Sequence, residues 1–242
     1  MNCRLCGADR PLRKSHILPE FYYKPIYESS HRLKFVSSDA AKPDRHRQKG
    51  LWERLLCDSC EQKFSRWETY AKSVFDGIGI RVLPEGQLLT ISNINYGKFR
   101  LFLLSLLWRM GVSKLDFFKE VNLGAKHEAA LRSALIGENP LDPLQYPCAL
   151  IGVLIGGTFH PDGLIPPIRV RGLDNQGYWV LMGGFLYHFI VMSHPPPAVY
   201  ARICISKANE MRISIQHLRD IRPLAEIAYE FGTAIRKRDE RS

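Results

Sequence analysis

No stretch of the chain offers about 18 uncharged apolar residues in a row, the length that a bilayer-spanning helix requires. The richest run, Leu101–Trp108, covers eight positions and is flanked by Arg100 and Arg109. The opening Met-Asn-Cys-Arg-Leu-Cys lacks the apolar core of a signal peptide. There is no internal repeat and no low-complexity tract beyond Pro195-Pro196-Pro197. The expectation is a soluble, cytoplasmic protein with no membrane partner. Hydrophobic residues at 45% and charged residues at 24% also exclude a disordered or collagen-like chain. The 242 residues allow one large domain or two small ones.

Acidic residues are in short supply. The 24 Asp and Glu face 34 Lys and Arg, leaving a formal +10. Residues 1–80 carry 15 basic and 10 acidic side chains, so half of the excess falls in one third of the chain. Arg32, Lys34, Lys42, Arg45, Arg47 and Lys49 meet only Asp39 and Asp44 nearby in sequence. Such a balance favours a polyanionic partner, and nucleic acid is the expected one. A solvated basic loop that only aids solubility is the alternative.

Four of the six cysteines form two C-x-x-C pairs, Cys3/Cys6 and Cys57/Cys60, with 50 residues between them. A two-residue gap lets both thiolates of a turn face one ion, and two such turns complete a tetrahedral site. In a reducing compartment this spacing reads as structural Zn²⁺ rather than as disulfides. Cys148 and Cys204 stand singly in apolar surroundings and read as ordinary buried thiols.

The patterning predicts a zinc knuckle over 1–14, a short strand at 15–19 and a helical turn or an aromatic-lined segment over 20–30. A basic loop at 31–49 and a second strand at 51–56 follow. Phe64, Trp67, Ala71, Val74 and Phe75 recur at helical spacing, and Asp76-Gly77 ends that helix. Beyond residue 80 the character changes. A strand at 88–94 and a strongly apolar helix at 96–110 precede shorter helices at 114–120 and 126–136. Strands at 148–155, 166–171, 178–182, 185–192 and 199–205 then dominate, with Gly183-Gly184 as a hairpin turn. A last helix spans about 222–236. The fold expectation is therefore α+β: a small zinc-bound ββα or treble-clef module, residues 1–80, followed by an α+β domain with a mainly antiparallel sheet, residues 81–242.

The N-terminal elements come in a definite order: C-x-x-C, then Ser15-His16-Ile17-Leu18-Pro19, then a strand, then Leu56-Cys57-Asp58-Ser59-Cys60-Glu61 opening a helix. This order resembles the four-cysteine branch of the HNH nucleases, the His-Me finger or ββα-metal enzymes, over residues 3 to about 75. The resemblance implies a nuclease that hydrolyses phosphodiester bonds, DNA being favoured, with Zn²⁺ only bracing the hairpin. His16 would take a proton from water, and Mg²⁺ or Mn²⁺ would stabilise charge on the phosphate. Similar modules recur in accessory proteins of bacterial mobile-element and phage-defence loci.

The chain departs from that family's pattern at three places. Ser15 stands where the family has a metal-binding Asp, Trp52 or Glu53 where it has a middle Asn, and Glu61 where it has the last His or Asn. Glu61 is the favoured catalytic-metal ligand, with Glu53 as the alternative. An acid there also suits a helix N-terminus without any metal. Arg13, Lys14, Arg45, Arg47, Lys49 and Lys63 are the residues expected to meet phosphates. Arg66, His46 and His31 read as ordinary solvated side chains. Two further readings stay open: a non-catalytic zinc module that binds nucleic acid, and a brace in a protein assembly that docks a partner through residues 81–242.

Overall fold

The computed structural model describes residues 2–27, 32–35, 41, 45–48, 50–77, 88–171, 176–197 and 199–239. Strand β1, Leu12–His16, pairs antiparallel with β4, Trp52–Cys57, setting Ser15 opposite Glu53 and His16 opposite Trp52. Helix α1, Asp58–Gly77, starts directly from β4. The segment between β1 and β4 carries two 3₁₀ turns, Glu20–Tyr22 and Lys24–Ile26, and a second ribbon of β2, Arg32–Phe35, with β3, Arg45–Gln48. The reading of 31–49 as a loop is thus corrected within its described parts. Arg32-Leu33-Lys34-Phe35 alternates with period two, and Leu33 is buried.

A six-strand path follows in the order β5-β11-β6-β10-β9-β8, with β7 pairing β6 off that path. Its members are β5, Leu88–Ile91; β6, Cys148–Ile155; β7, Thr158–Phe159; and β8, Leu164–Arg171. The others are β9, Gln176–Met182; β10, Phe185–Ile190; and β11, Met211–His217. Among the described residues only β11 with β6 pairs parallel, and the other strand pairings are antiparallel. The chain is therefore an α+β protein with a mainly antiparallel sheet and an N-terminal cysteine cluster. Gly183 and Gly184 form the β9–β10 turn at φ 61° and 79°, and a Cβ on Gly184 would lie 2.3 Å from the Phe159 ring.

Three points of the sequence reading need correction in this part. Residues 199–205 do not form a strand; Tyr200–Ile203 is a single helical turn, α4. The three prolines before it supply no ladder N–H groups, and the Tyr200 N–H donates to the Pro197 carbonyl. The strand β11 was not expected, although Met211, Ile213 and Ile215 alternate and are buried. The helix foreseen at 114–120 is a 3₁₀ turn, Asp116–Phe118. The remaining helices are α2, Tyr96–Val112; α3, Gly124–Ile136; and α5, Arg222–Asp239.

Helix α2 is apolar nearly all round and accordingly buried, packed by α1 and α3. Trp108 meets Phe64 edge-on, and Phe75 of α1 reaches Phe99, Phe102, Phe185 and Tyr187. One continuous core consequently runs from Cys3 to Ile215. The opposite sheet face is covered by Ile221 and Leu224 near the start of α5, and by Tyr200 of α4. The boundary expected at residue 80 falls within 78–87, outside the described residues.

Candidate metal centre and the cluster beside it

The knuckle turns at Gly7, whose φ of 79° suits a residue without Cβ, and its N–H closes on the Cys3 carbonyl at 2.8 Å. Arg132 of α3 clamps the turn from outside through Nε to the Leu5 carbonyl at 2.6 Å. Cys57 ends β4 and Cys60 sits in the first turn of α1, so strand and helix deliver the second pair. The ligand atoms of Cys3, Cys6, Cys57 and Cys60 all lie within 4.8 Å of one another, a group that could hold a metal ion such as zinc.

The geometry fits such an ion. Tetrahedral thiolates at a metal–sulfur distance of about 2.3 Å stand roughly 3.8 Å apart, and Cys6 Sγ lies 3.7 Å from Cys57 Sγ. The Cys57 N–H donates to Cys3 Sγ at 3.4 Å, the supporting hydrogen bond that a thiolate ligand needs. Burial opposes ionisation of Cys57, yet hydrogen bonds from Ser59, the Cys60 backbone and neighbouring thiols outweigh it and pull this thiol down to about 6. Burial pushes Cys60 up. Cys148 and Cys204 are buried far from this group in sequence, as expected of structural thiols.

Of the two candidate catalytic residues, His16 ends β1 and Glu61 stands in the first turn of α1. Ser15, fully buried, accepts from the Leu56 N–H at 3.1 Å and donates to Glu61 Oε2 at 2.6 Å. Burial raises the Glu61 carboxyl, against the Ser15 hydrogen bond and the Arg109 charge. His16 keeps 30% of its side chain exposed and places Nε2 2.9 Å from Glu20 Oε2. Its carbonyl accepts from Arg109 Nη1 at 2.8 Å, and Arg109 in turn pairs with Glu68 Oε1 at 2.6 Å. The hydroxyl of Ser15 and the carboxylate of Glu61 are hard oxygen donors, suited in kind to Mg²⁺ or Mn²⁺. Among the described residues, however, the four cysteines are the only convergent group of three or more Cys, His, Asp or Glu side chains.

Glu53, the alternative ligand, is occupied. It accepts from Ser113 Oγ at 2.6 Å and from the Lys114 N–H at 3.1 Å. Of the residues expected to meet phosphates, Arg13 pairs with Asp58 at 2.6 Å and Lys14 lies 4.6 Å from the Trp52 ring centre. Lys63 donates to the Ile136 carbonyl and pairs with Glu138, as does Arg66. Arg45 and Arg47 lie on β3 opposite Phe35 and Leu33, with His46 between them. Lys49 and His31 lie outside the described residues. The exposed pairs are worth little, about 0–1 kcal/mol each, and a phosphate can displace their acids.

Glu20, Glu68 and Arg109 escaped the sequence reading. Arg109 carried a signal: a cation within an apolar helix must find a carboxylate if that helix is buried. A scan against protein-family models gives no match, and neither the curated proteins nor the solved structures yield a similar protein. Among the described residues no helix is long and apolar enough to cross a membrane.

Proposed function

We propose that residues 1–80 form a metal-dependent nuclease of the HNH type, with zinc held by Cys3, Cys6, Cys57 and Cys60. The observation that carries this reading is the pairing of a partly exposed His16 with Glu20 at 2.9 Å on a strand anchored beside the cysteine cluster. Glu20 orients the imidazole and stabilises it once protonated, so His16 can take a proton from an attacking water. Glu61, with the Ser15 hydroxyl, is the group that would hold Mg²⁺ or Mn²⁺. Such an ion, when bound, supplies charge neutralisation at the phosphate and the leaving oxygen. Arg13 and Lys14 on β1, and Lys63 on α1, would exchange their present partners for backbone phosphates of DNA.

The test is incubation of the full chain with plasmid, linear and single-stranded DNA and with RNA, in Mg²⁺ or Mn²⁺. His16→Ala should lower metal-dependent cleavage by about 100-fold or more while zinc content and folding persist. A second reading, a zinc module that binds nucleic acid without cutting, is favoured by one observation: Ser15 is buried and fully engaged where catalysis would want a charged ligand. No cleavage by any preparation, with salt-sensitive binding equal in wild type and His16→Ala, would establish that reading instead.

A further inference from the structure

A second candidate site lies on the far part of the chain, where α3 meets the loop after β10. There a cavity of about 390 Å³ opens between the start of α3, the segment before β6 and residues 192–196. Its volume falls in the range of small-molecule sites, about 300–1,000 Å³. One corner gathers donors. Lys126 Nζ lies 3.4 Å from Ser193 Oγ, and His127 Nε2 lies 3.5 Å from the same oxygen. His127 Nδ1 meets the Tyr146 hydroxyl at 3.0 Å, which fixes the ring. Burial and then the Lys126 charge hold His127 below the usual imidazole value, which disfavours the charged ring. Each ring nitrogen of His127 thus meets a hydroxyl, and the Nε2–H tautomer aims the imidazole's donor at Ser193.

No Asp or Glu lines this cavity among the described residues. Lys126 and His127 also occupy the first turn of α3, which carries no acid. Lys126 puts a cation beside the positive end of that helix, an arrangement that a bound anion would relieve. The other wall is different in kind. Leu144, Ile190, Met192, Pro195 and Pro196 present an apolar surface, and two adjacent prolines offer flat faces to a ring. The Tyr146 side of the site is braced by the buried Arg100, which donates to the Tyr146 carbonyl at 2.9 Å and to that of Gln145.

We propose that this cavity binds a small phosphate monoester carrying a ring, of mononucleotide size. The phosphate would take hydrogen bonds from Lys126, His127 and Ser193, and the ring would lie against Met192 and the prolines. The assignment does not rest on the nuclease reading, since the cavity shares no residue with His16, Glu61 or the cysteines.

The probes are adenosine 5′-monophosphate, adenosine and inorganic phosphate, each titrated into the full chain by calorimetry. The monophosphate should bind saturably and at least about tenfold more tightly than either fragment. Lys126→Ala, a surface change, should weaken it about tenfold or more, and His127→Gln should weaken it too. Lys119→Ala, outside the cavity, should leave it unaltered. No saturable binding at millimolar concentration, or unchanged affinity in Lys126→Ala, would overturn the proposal. Equal affinity for adenosine and its monophosphate would overturn the phosphate corner, and equal affinity for phosphate alone the apolar wall.

Discussion

Arg109, in the last turn of α2, donates to the backbone carbonyl of His16 at 2.8 Å, across 93 residues of sequence. Its guanidinium, 1% exposed, also pairs with Glu68 of α1 and stands 5.3 Å from the Phe64 ring centre. A single side chain of the later part of the chain thus holds the strand and the helix that carry the candidate catalytic residues.

Removing that guanidinium should be costly. Arg109→Ala leaves the Glu68 carboxylate and the His16 carbonyl without their donor, at a cost of about 3–5 kcal/mol. Replacing both partners by apolar residues, Arg109→Met with Glu68→Leu, should recover a large part of the loss. Urea unfolding midpoints of the two variants measure this; equal stability of single and double variants would refute the coupling.

The pair Tyr22 and Tyr187 offers an independent probe of how the N-terminal segment docks on the sheet. Their hydroxyls lie 2.5 Å apart and both are buried. Tyr22→Phe strands the Tyr187 hydroxyl and should cost about 1–3 kcal/mol, whereas Tyr22→Phe with Tyr187→Phe should be nearer neutral. A double-mutant cycle reads the difference, and additive effects would show that the hydroxyls are not coupled.

The cysteine group should hold one metal ion per chain. Elemental analysis of the purified protein is expected to find zinc in equimolar amount, and Cys57→Ser to reduce it. Because ligand binding is linked to folding at such sites, chelation should lower the melting temperature and loosen β1, β4 and α1 first. Full thermal stability after complete removal of metal would contradict a structural role.

Acid should destabilise the fold through His188. Burial among the Trp179 and Tyr200 rings lowers this imidazole from 6.5 to about 4. Between those values the unfolded chain binds the proton and the folded chain does not. Stability is therefore full above pH 6.5 and falls as the pH drops towards 4, by at most about 3 kcal/mol from this group. His188→Phe should flatten that part of the stability–pH curve; an unchanged slope would assign the effect to other groups.

Much of this architecture was legible along the chain. The two C-x-x-C pairs announced a joint site because a two-residue gap constrains thiols locally. The helix over 58–77 and the strand over 148–155 showed their own periodicities, since side-chain direction repeats within an element whatever its neighbours are. Other features had no local signature. The Ser15–Glu61 hydrogen bond, the reach of Arg109 to His16, the parallel pairing of β11 with β6, and the meeting of His127 with Ser193 all join distant residues. A polar side chain at a single position reads alike whether it faces water or a partner. Only the closing of the core decides which, because burial removes water and leaves each such group to find its donor or acceptor within the protein.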